Sequence, residues 1–444
     1  MSSIITKNLK VTLSEQIYNL LDLGSNSYLP SSRQSYLYVV LGKQLSWNSG
    51  TEVVPTPEDT TVALNTLYDD GLFVKRLTNA DASYVVPRID WESGIVYDEY
   101  VDDADVYGTN FYVLNSQYKV FKCLSNNGGE ASVNEPEITL SSTSLEEPYI
   151  QTADGYKWKY LYTLNSLQRQ RYLTQDWMPV TKNSFVSGAA INGSIDIVNV
   201  TNSGNNYVDG ATQNIITVTG DGTGAAMRAN VVGGQVQNII IQDRGINYTY
   251  ANVSFTDIAG GTGSSAAAHV TISPQNGHGF DPVYELGAST IMFNSDFNGT
   301  DTSFLSENDY RQIFIVKNPY TATNTLATSE KYTCYYKIKV SPGLGDFNED
   351  EVVYQGISYA TSNWTAKVVF FDAVGNYLYV NNVKGTPITN QSVKGLTTGS
   401  IRIINTITSP TIKLYSGKVL YISNSAVISR DANQTDRIRF ILSF

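Results

Sequence analysis

The chain has 444 residues, which is too long for one ordinary hydrophobic core and predicts two or three domains. Apolar residues make up 41% of the chain and charged residues only 16%, a composition that indicates packed domains and excludes a disordered chain. The net charge of −11 argues against a dedicated nucleic-acid surface, and the presence of only 2 histidines removes most catalytic and metal-binding constellations.

Cys123 and Cys334 are the only cysteines, too few and too far apart for a disulfide framework or a zinc site. The first 16 residues lack the apolar core of a signal peptide. No run reaches the roughly 18 apolar residues that a membrane helix needs. We therefore expect a protein that is made and assembled in a cytoplasm, without membrane insertion.

Helical signals are few and lie near the N-terminus. Residues 12–23 have apolar side chains at helical spacing, and Ser14 is a plausible N-cap. Residues 57–77 predict a second helix that Thr56 can cap and that Gly71 can break.

Strand signals dominate from about residue 95 onward, after an early buried strand predicted at residues 36–41. In residues 155–164 every second position is aromatic, which is the period of a strand. Core packing is the favoured explanation of this stripe, and a partner-binding surface is the alternative. The candidate partner-interface residues are Tyr156, Trp158, Tyr160 and Tyr162, together with Arg430 and Gln434 near the C-terminus.

An internal repeat interrupts this pattern. Gly204, Asn206 and Tyr207 recur 41 residues later as Gly245, Asn247 and Tyr248. A Gly-Thr-Gly run also occurs twice, at 222–224 and at 261–263, and each copy precedes a strand of small residues. Residues 190–274 therefore predict two copies of one β unit, inserted as a small Gly-rich domain.

The C-terminal third again predicts strands. Residues 331–340 alternate, residues 350–354 lead into Gln355-Gly356, and residues 365–385 predict a hairpin. Ile438, Phe440 and Leu442 share one face of a final strand.

These elements predict a mainly β, multi-domain fold of antiparallel sheets or sandwiches with a few N-terminal helices. The predicted domains are an α+β framework at 1–189 that continues at 275–320, the repeat domain at 190–274, and a β domain at 321–444.

Motifs that would carry chemistry are incomplete. The glycines at 220, 222 and 224 precede a strand, which argues against a dinucleotide site, and neither a phosphate loop nor a nucleophile elbow occurs. His269 lies in a predicted strand and His278 in a turn, so structural roles are favoured for both. Two acidic groups are more typical of hydrated loops than of metal or catalytic sites. One consists of Asp346, Asn348 and Asp350, and the other of Asp102, Asp103 and Asp105. We expect no enzyme activity, no cofactor and no resident metal.

Three longer stretches, at residues 111–129, 152–173 and 272–288, read FYVLNSQYKVFKCLSNNGG, TADGYKWKYLYTLNSLQRQRYL and ISPQNGHGFDPVYELGA. Together they resemble the baseplate wedge subunits of contractile-tailed bacteriophages, the family of the T-even-type gene-eight product. Residues 416–444 also resemble the closing segment of phage baseplate and tail proteins.

The resemblance implies a structural virion protein in the tail baseplate. Members of this family form homodimers and dock onto other wedge proteins, chiefly the products of genes six, seven and ten in the T-even type. They lack enzymatic activity and cofactors, and they hold their partners in one baseplate state while permitting rearrangement on tail contraction. Such a protein is not expected to bind nucleic acid, a membrane or a small-molecule substrate.

Two alternatives remain open at this point. The chain could bind host-surface glycans through exposed Tyr and Asn side chains of the repeats, or it could degrade such polysaccharides. The enzyme alternative requires carboxylates or a Tyr/His pair that converge in a groove.

Overall fold

The structure, a computed structural model, describes residues 3–23, 35–47, 53–141, 144–145, 147–211, 214–255, 262–298, 309–430 and 434–444. It is a mainly β protein of several antiparallel sheets with few helices, as the sequence predicts. The chain forms two compact units. Unit 1 consists of Met1–Ser14, Ser83–Met292 and Ile441–Phe444, and unit 2 of Glu15–Ala82 and Phe293–Phe440.

This partition differs from the predicted division, since residues 190–274 lie within unit 1 and most of residues 321–444 share unit 2 with part of the predicted framework. The predicted framework of residues 1–189 and 275–320 is divided, because most of its first 82 residues and its last 28 residues or so belong to unit 2. Apolar runs do not reveal which distant partner a strand will find, and the strand at 36–41 pairs with strands of unit 2.

The helices are α1 (Lys7–Leu23), α2 (Thr61–Asp69), α3 (Ser166–Tyr172), α4 (Ser184–Gly188) and α5 (Pro282–Glu285). None of the helices in the described residues has the length and apolarity that a membrane crossing requires.

The two predicted helices exist with different limits. Helix α1 begins at Lys7, so Ser14 lies inside the helix and is not its N-cap; its hydroxyl donates to the carbonyls of Val11 and Ala288. The side chain of Thr60, and not that of Thr56, caps α2 by accepting the amide of Ala63.

The predicted second helix is also too long. Helix α2 ends at Asp69, and β2 (Gly71–Leu77) continues as a strand. The change of structure falls at Gly71, where an added Cβ would lie 3.1 Å from the Cys334 side chain. The close approach of β2 to that side chain therefore requires glycine.

The first part of unit 1 contains a four-stranded sheet in the order β4-β5-β7-β6, formed by β4 (Tyr112–Leu114), β5 (Lys119–Ser125), β7 (Lys157–Thr163) and β6 (Ile150–Gln151). Strands β5 and β7 are buried on both faces, so residues that alternate along them do not alternate between core and solvent. Strand β3 (Ala82–Pro87) pairs with β8 (Trp177–Pro179) in the same unit.

The repeat region forms six strands of unit 1, which we call the repeat module: β9 (Ile195–Asn205), β10 (Ile215–Gly220), β11 (Thr223–Val232), β12 (Gln235–Ile246), β13 (Ala251–Ser254) and β14 (Ser264–Ile272). Its buried core is drawn from residues 195–272 alone. Gly233 and Gly234, a glycine pair typical of a hairpin turn, join β11 to β12, and both have positive φ.

The two copies of the module pair crosswise. Strand β9 of the first copy pairs with β14 of the second, and β12 of the second pairs with β11 of the first. The two ladders match pair for pair at a spacing of 41 residues, so that Ala225↔Arg244 corresponds to Ala266↔Ser203, and both register shifts recur at equivalent points. The module is thus a closed pseudo-two-fold body.

Unit 2 contains a five-stranded sheet and a closed barrel. The sheet has the order β17-β2-β1-β16-β24, formed by β17 (Lys331–Thr333), β2, β1 (Leu37–Gly42), β16 (Tyr310–Lys317) and β24 (Lys418–Ile428). All six residues of β1 are buried, which confirms the predicted core strand.

The barrel has the order β18-β21-β20-β19-β22-β23, formed by β18 (Tyr336–Val340), β21 (Tyr377–Gly385), β20 (Trp364–Asp372), β19 (Val352–Gln355), β22 (Ser392–Gly395) and β23 (Ile401–Thr408). The predicted hairpin at 365–385 is confirmed as β20 and β21. Strands β15 (Thr290–Asn298) and β25 (Thr435–Ser443) contain the points where the chain passes between units, and β25 confirms the predicted final strand.

Candidate functional site

Unit 1 encloses a cluster of charged side chains, which we call the buried charge cluster: Lys122, Asp196, Arg244, His278 and Glu285. The side chains of Lys122, Asp196, His278 and Glu285 are between 0% and 5% exposed, and that of Arg244 is 25% exposed. Charged side chains this deep are stable only when their charges and hydrogen bonds are matched within the protein.

Lys122 is at the centre of the cluster because β5 is buried on both faces. Its Nζ lies 3.1 Å from Glu285 Oε2 and 3.1 Å from His278 Nδ1, and it sits 3.8 Å from the centre of the Tyr100 ring. An ammonium group only donates hydrogen bonds, so His278 Nδ1 must accept and carries no proton. The neutral imidazole therefore holds its proton on Nε2.

Glu285 is held by the turn that contains His278. Its Oε1 accepts the backbone N–H of Gly279 at 2.6 Å, and α5, which carries Glu285, begins where the Asp281 side chain accepts the amide of Val283. Gly279 has a φ of +83°, and a Cβ there would lie 2.4 Å from the Val186 side chain. Only glycine allows this turn to approach the cluster.

Asp196 reaches the cluster from the repeat module. Its Oδ2 accepts the hydroxyl of Ser194 at 3.0 Å and lies 4.0 Å from His278 Nε2, while its Oδ1 lies 3.2 Å from the Arg244 guanidinium. The cluster is therefore the place where the two ladders of the module meet the remainder of unit 1.

Burial controls the ionisation of the cluster. Burial lowers the pKa of Lys122, and burial followed by the nearby Lys122 charge lowers the pKa of His278. Burial alone would raise the pKa of Glu285, but Lys122 and His278 outweigh it and hold that pKa below its usual value. Burial also lowers the pKa of the neighbouring Lys159 to about 8.

The cluster joins parts of unit 1 and also borders two grooves. Asp196 and Arg244 line a groove of about 580 Å³ together with Glu147 and Tyr149, and Glu285 lines a second groove of about 330 Å³. A reaction centre needs a place for substrate beside its acid and base groups, and Lys122 and His278 line neither groove.

The three stretches that carry the resemblance meet at this cluster. Residues 111–129 supply Lys122, residues 152–173 supply Lys159, and residues 272–288 supply His278 and Glu285. The three stretches also contribute to one hydrophobic core, which contains Phe111, Leu161 and Leu286.

The aromatic stripe lies in the core, which agrees with the favoured explanation and overturns the partner-surface alternative. Tyr156, Trp158, Tyr160 and Tyr162 are each 4% exposed or less. The hydroxyls of the three tyrosines are also bonded internally, and that of Tyr156 donates to the Glu130 carbonyl. The opposite face is buried as well, because Lys159 is only 4% exposed and donates to the carbonyl of Glu147.

The two C-terminal candidates differ from each other. Arg430 is buried and pairs with Asp436, so it is a structural residue and not part of an exposed interface. Gln434 is exposed and donates to the other carboxylate oxygen of Asp436 at 2.9 Å.

The repeat tyrosines are buried and cannot present their rings to a sugar. Tyr207 is 8% exposed and Tyr248 is 6% exposed, and each ring covers a glycine of the other copy. A Cβ on Gly263 would lie 1.9 Å from the Tyr207 ring, and a Cβ on Gly222 would lie 2.4 Å from the Tyr248 ring. These two glycines therefore make room for the tyrosine rings. Gly261, part of the second Gly-Thr-Gly run, lies outside the described residues.

His269 and two residues of the first acidic group lie close to one another and are not members of the buried charge cluster. His269 Nε2 is 3.9 Å from Asp102 Oδ1, and the donor atoms of Asp102, Asp103 and His269 lie within 4.8 Å of one another. These side chains are exposed or half-exposed, and exposed acidic groups of this kind are common without an ion.

The second acidic group lies in unit 2 and is bound by its own fold. Asp346 pairs with Arg402 at 2.9 Å, and burial raises the pKa of Asp350. Glu351, which occupies the position where a calcium loop needs glycine, accepts amides of Asn348 and Thr398. This arrangement is that of a turn closed by side chains.

Comparison with protein-family models found no match to this chain, and comparison with curated proteins found none either.

Sequence reasoning missed Lys122, Asp196, Arg244 and Glu285. One signal was present, because Lys122 interrupts the apolar run VFKCL, where a solvated lysine is not expected. Its hydrogen-bond partners, His278 and Glu285, lie 156 and 163 residues away in the sequence, and no local pattern marks such distances.

Proposed function

We propose that the protein is a structural subunit of a phage tail baseplate wedge, which forms homodimers and docks other wedge proteins. The observation that carries this proposal is the convergence of the three resembling stretches on one core with matched buried charges. If the chain has the same fold as the wedge subunits, the residues that resemble theirs should be those of the core and its internal ion pairs.

The character of the surface is consistent with assembly. The chain contains 31 tyrosines and few charges, and Tyr-rich, charge-poor surfaces are typical of protein interfaces. Large apolar side chains are exposed in both units, among them Phe185 at 68% in unit 1 and Leu344 at 80% in unit 2.

The best-buried acid–base groups do not support the enzyme alternative. Lys122 and His278 are buried and hydrogen-bonded within the cluster, and neither lines the grooves beside Arg244 and Glu285. The repeat tyrosines of the glycan alternative, Tyr207 and Tyr248, are covered, whereas Asn206 and Asn247 are exposed.

The proposal is tested by light scattering of the purified protein, alone and mixed with the wedge proteins of its own virus. We expect a dimer that forms larger complexes on mixing, and antibody labelling at the baseplate of intact particles. A stable monomer that forms no complex, or a label elsewhere on the particle, would refute it. Glycan-array binding by the isolated protein would favour the alternative.

A further inference from the structure

The charges of the buried charge cluster balance only while His278 is neutral. Glu285 faces the Lys122 ammonium at 3.1 Å, and Asp196 faces the Arg244 guanidinium at 3.2 Å. Both carboxylates are thereby matched, and a further positive charge on His278 would have no counter-charge of its own.

The position of the added proton makes this conflict direct. The unprotonated nitrogen of the neutral His278 ring is Nδ1, and it accepts a hydrogen bond from Lys122 Nζ at 3.1 Å. A proton there removes that hydrogen bond and places an N–H donor against an ammonium group. The His278 ring also packs edge-on against Tyr100, with centroids 4.9 Å apart, so it has little freedom to turn away.

We propose that His278 makes the contact between the repeat module and the β5–α5 part of unit 1 sensitive to acid. A proton taken up at His278 Nδ1 breaks the buried charge cluster and weakens this contact. The module supplies Asp196 and Arg244, while β5, the turn at 278 and α5 supply the other groups. This inference stands independently of the proposed function.

The other groups around His278 do not absorb the added charge. Glu285 and Asp196 already face cations, and Lys159 adds a further buried cation whose charge is felt at Asp196. Burial raises the pKa of Tyr100, so its hydroxyl stays neutral across the acid range.

The direction of the pH effect follows from linkage. In the unfolded chain His278 takes up a proton below its ordinary pKa of about 6.5, whereas burial lowers its pKa in the folded protein. The opened state is therefore favoured as pH falls below about 6.5, by up to about tenfold in the opening equilibrium constant per pH unit until the folded-state pKa is reached.

The chain offers a matched control because it contains only 2 histidines. His278→Gln supplies a side-chain carbonyl that can accept from Lys122 and that never takes up a proton. His269→Gln removes the half-exposed histidine of β14, which lies at 3.9 Å from Asp102 and outside the cluster.

The experiment is amide hydrogen exchange in β5, β9 and β12 from pH 7 to pH 4.5, corrected for the intrinsic exchange rate. In the wild type and in His269→Gln, exchange in these strands should rise on acidification, and in His278→Gln the rise should be reduced by up to about tenfold per pH unit. Equal pH profiles in the wild type and His278→Gln would overturn the proposal. So would a profile that is flattened by His269→Gln instead.

A second measurement does not require His278→Gln to fold. In His269→Gln the only histidine is His278, so its ring resonances report its titration directly. We expect no protonation near pH 6.5 while the protein is folded, and protonation only together with the increase in exchange. Ordinary titration at about pH 6.5 without loss of exchange protection would overturn the proposal.

Discussion

Replacing Lys122 by Met tests whether the buried charge cluster stabilises unit 1 as a matched set. Met occupies a similar volume and leaves the aliphatic packing of β5 in place, but it removes the cation that lies 3.1 Å from Glu285. Glu285 then keeps only the Gly279 amide and the neutral His278 as partners in a site where it is 5% exposed.

Removing one partner of such a pair costs about 3–5 kcal/mol, because the remaining charge is buried without compensation. Lys122→Met should therefore lower the free energy of unfolding by about that amount. Adding Glu285→Gln should recover most of the loss, since the Gln carbonyl still accepts from Gly279 and no charge remains.

The assay is urea unfolding, with exchange of the β5 amides as a local probe of unit 1. Lys119→Met is the matched control, because Lys119 lies on the same strand and bonds to Gln117 and the Ile138 carbonyl near the surface. Its cost should stay within about 1 kcal/mol. The reasoning fails if Lys122→Met costs no more than the control, or if the double variant is as unstable as the single one.

Three further predictions concern the repeat module. Gly222→Ala and Gly263→Ala should each lower the free energy of unfolding by about 1–3 kcal/mol, because the new Cβ would lie 2.4 Å from the Tyr248 ring or 1.9 Å from the Tyr207 ring. Thermal or urea unfolding measures this. A loss below about 0.5 kcal/mol at both sites would contradict the packing. Ser265 has a φ of +69°, and the equivalent residue of the other copy is Gly224, with a φ of +86°. Ser265→Gly should therefore raise the free energy of unfolding by up to about 1 kcal/mol, and Gly224→Ser should lower it. Changes in the same direction would refute this. Replacing residues 190–274 by a short Gly/Ser linker should leave a folded protein that still dimerises, because the two ends of the module lie close together: the Ser273 amide donates to the Ser194 carbonyl at 2.9 Å. Circular dichroism and light scattering check this. An insoluble or monomeric product would show that the module belongs to the core or to the dimer contact.

Much of the fold could be predicted because its signals are local. Strand period placed the hairpin of β20 and β21 and the final strand, and two glycines placed the turn between β11 and β12. Helix limits were predicted less accurately, because several Ser and Thr residues near each helix start have the side chain of an N-cap. Thr60, and not Thr56, caps α2, and the Ser14 hydroxyl donates to the distant Ala288 carbonyl instead of capping α1.

The arrangement of the two units could not be predicted for a related reason. Strand β1 is apolar on both faces, so its sequence identifies a buried strand but not its neighbours. The same holds for β7, where the aromatic stripe and the lysines opposite it are buried alike. Alternation indicated a strand correctly, and it did not indicate which face would meet solvent.

The site could not be predicted because it depends on charge pairing across long separations. His278 was singled out and given a structural role, and the structure places it among buried charges as a neutral hydrogen-bond acceptor. The two carboxylates and the two cations around it were not singled out at all.

The repeat itself shows where the module is specialised. Positions that build the module are repeated at a spacing of 41 residues, such as Gly204 and Gly245, which both adopt positive φ. The charged pair that reaches the cluster is not repeated, because Asp196 corresponds to Gln237 and Arg244 corresponds to Ser203. The shared glycines adopt the same backbone conformation in both copies, whereas Asp196 and Arg244 occur in one copy each and meet each other at the cluster. Charge therefore breaks the pseudo-two-fold where the module is joined to the buried charge cluster.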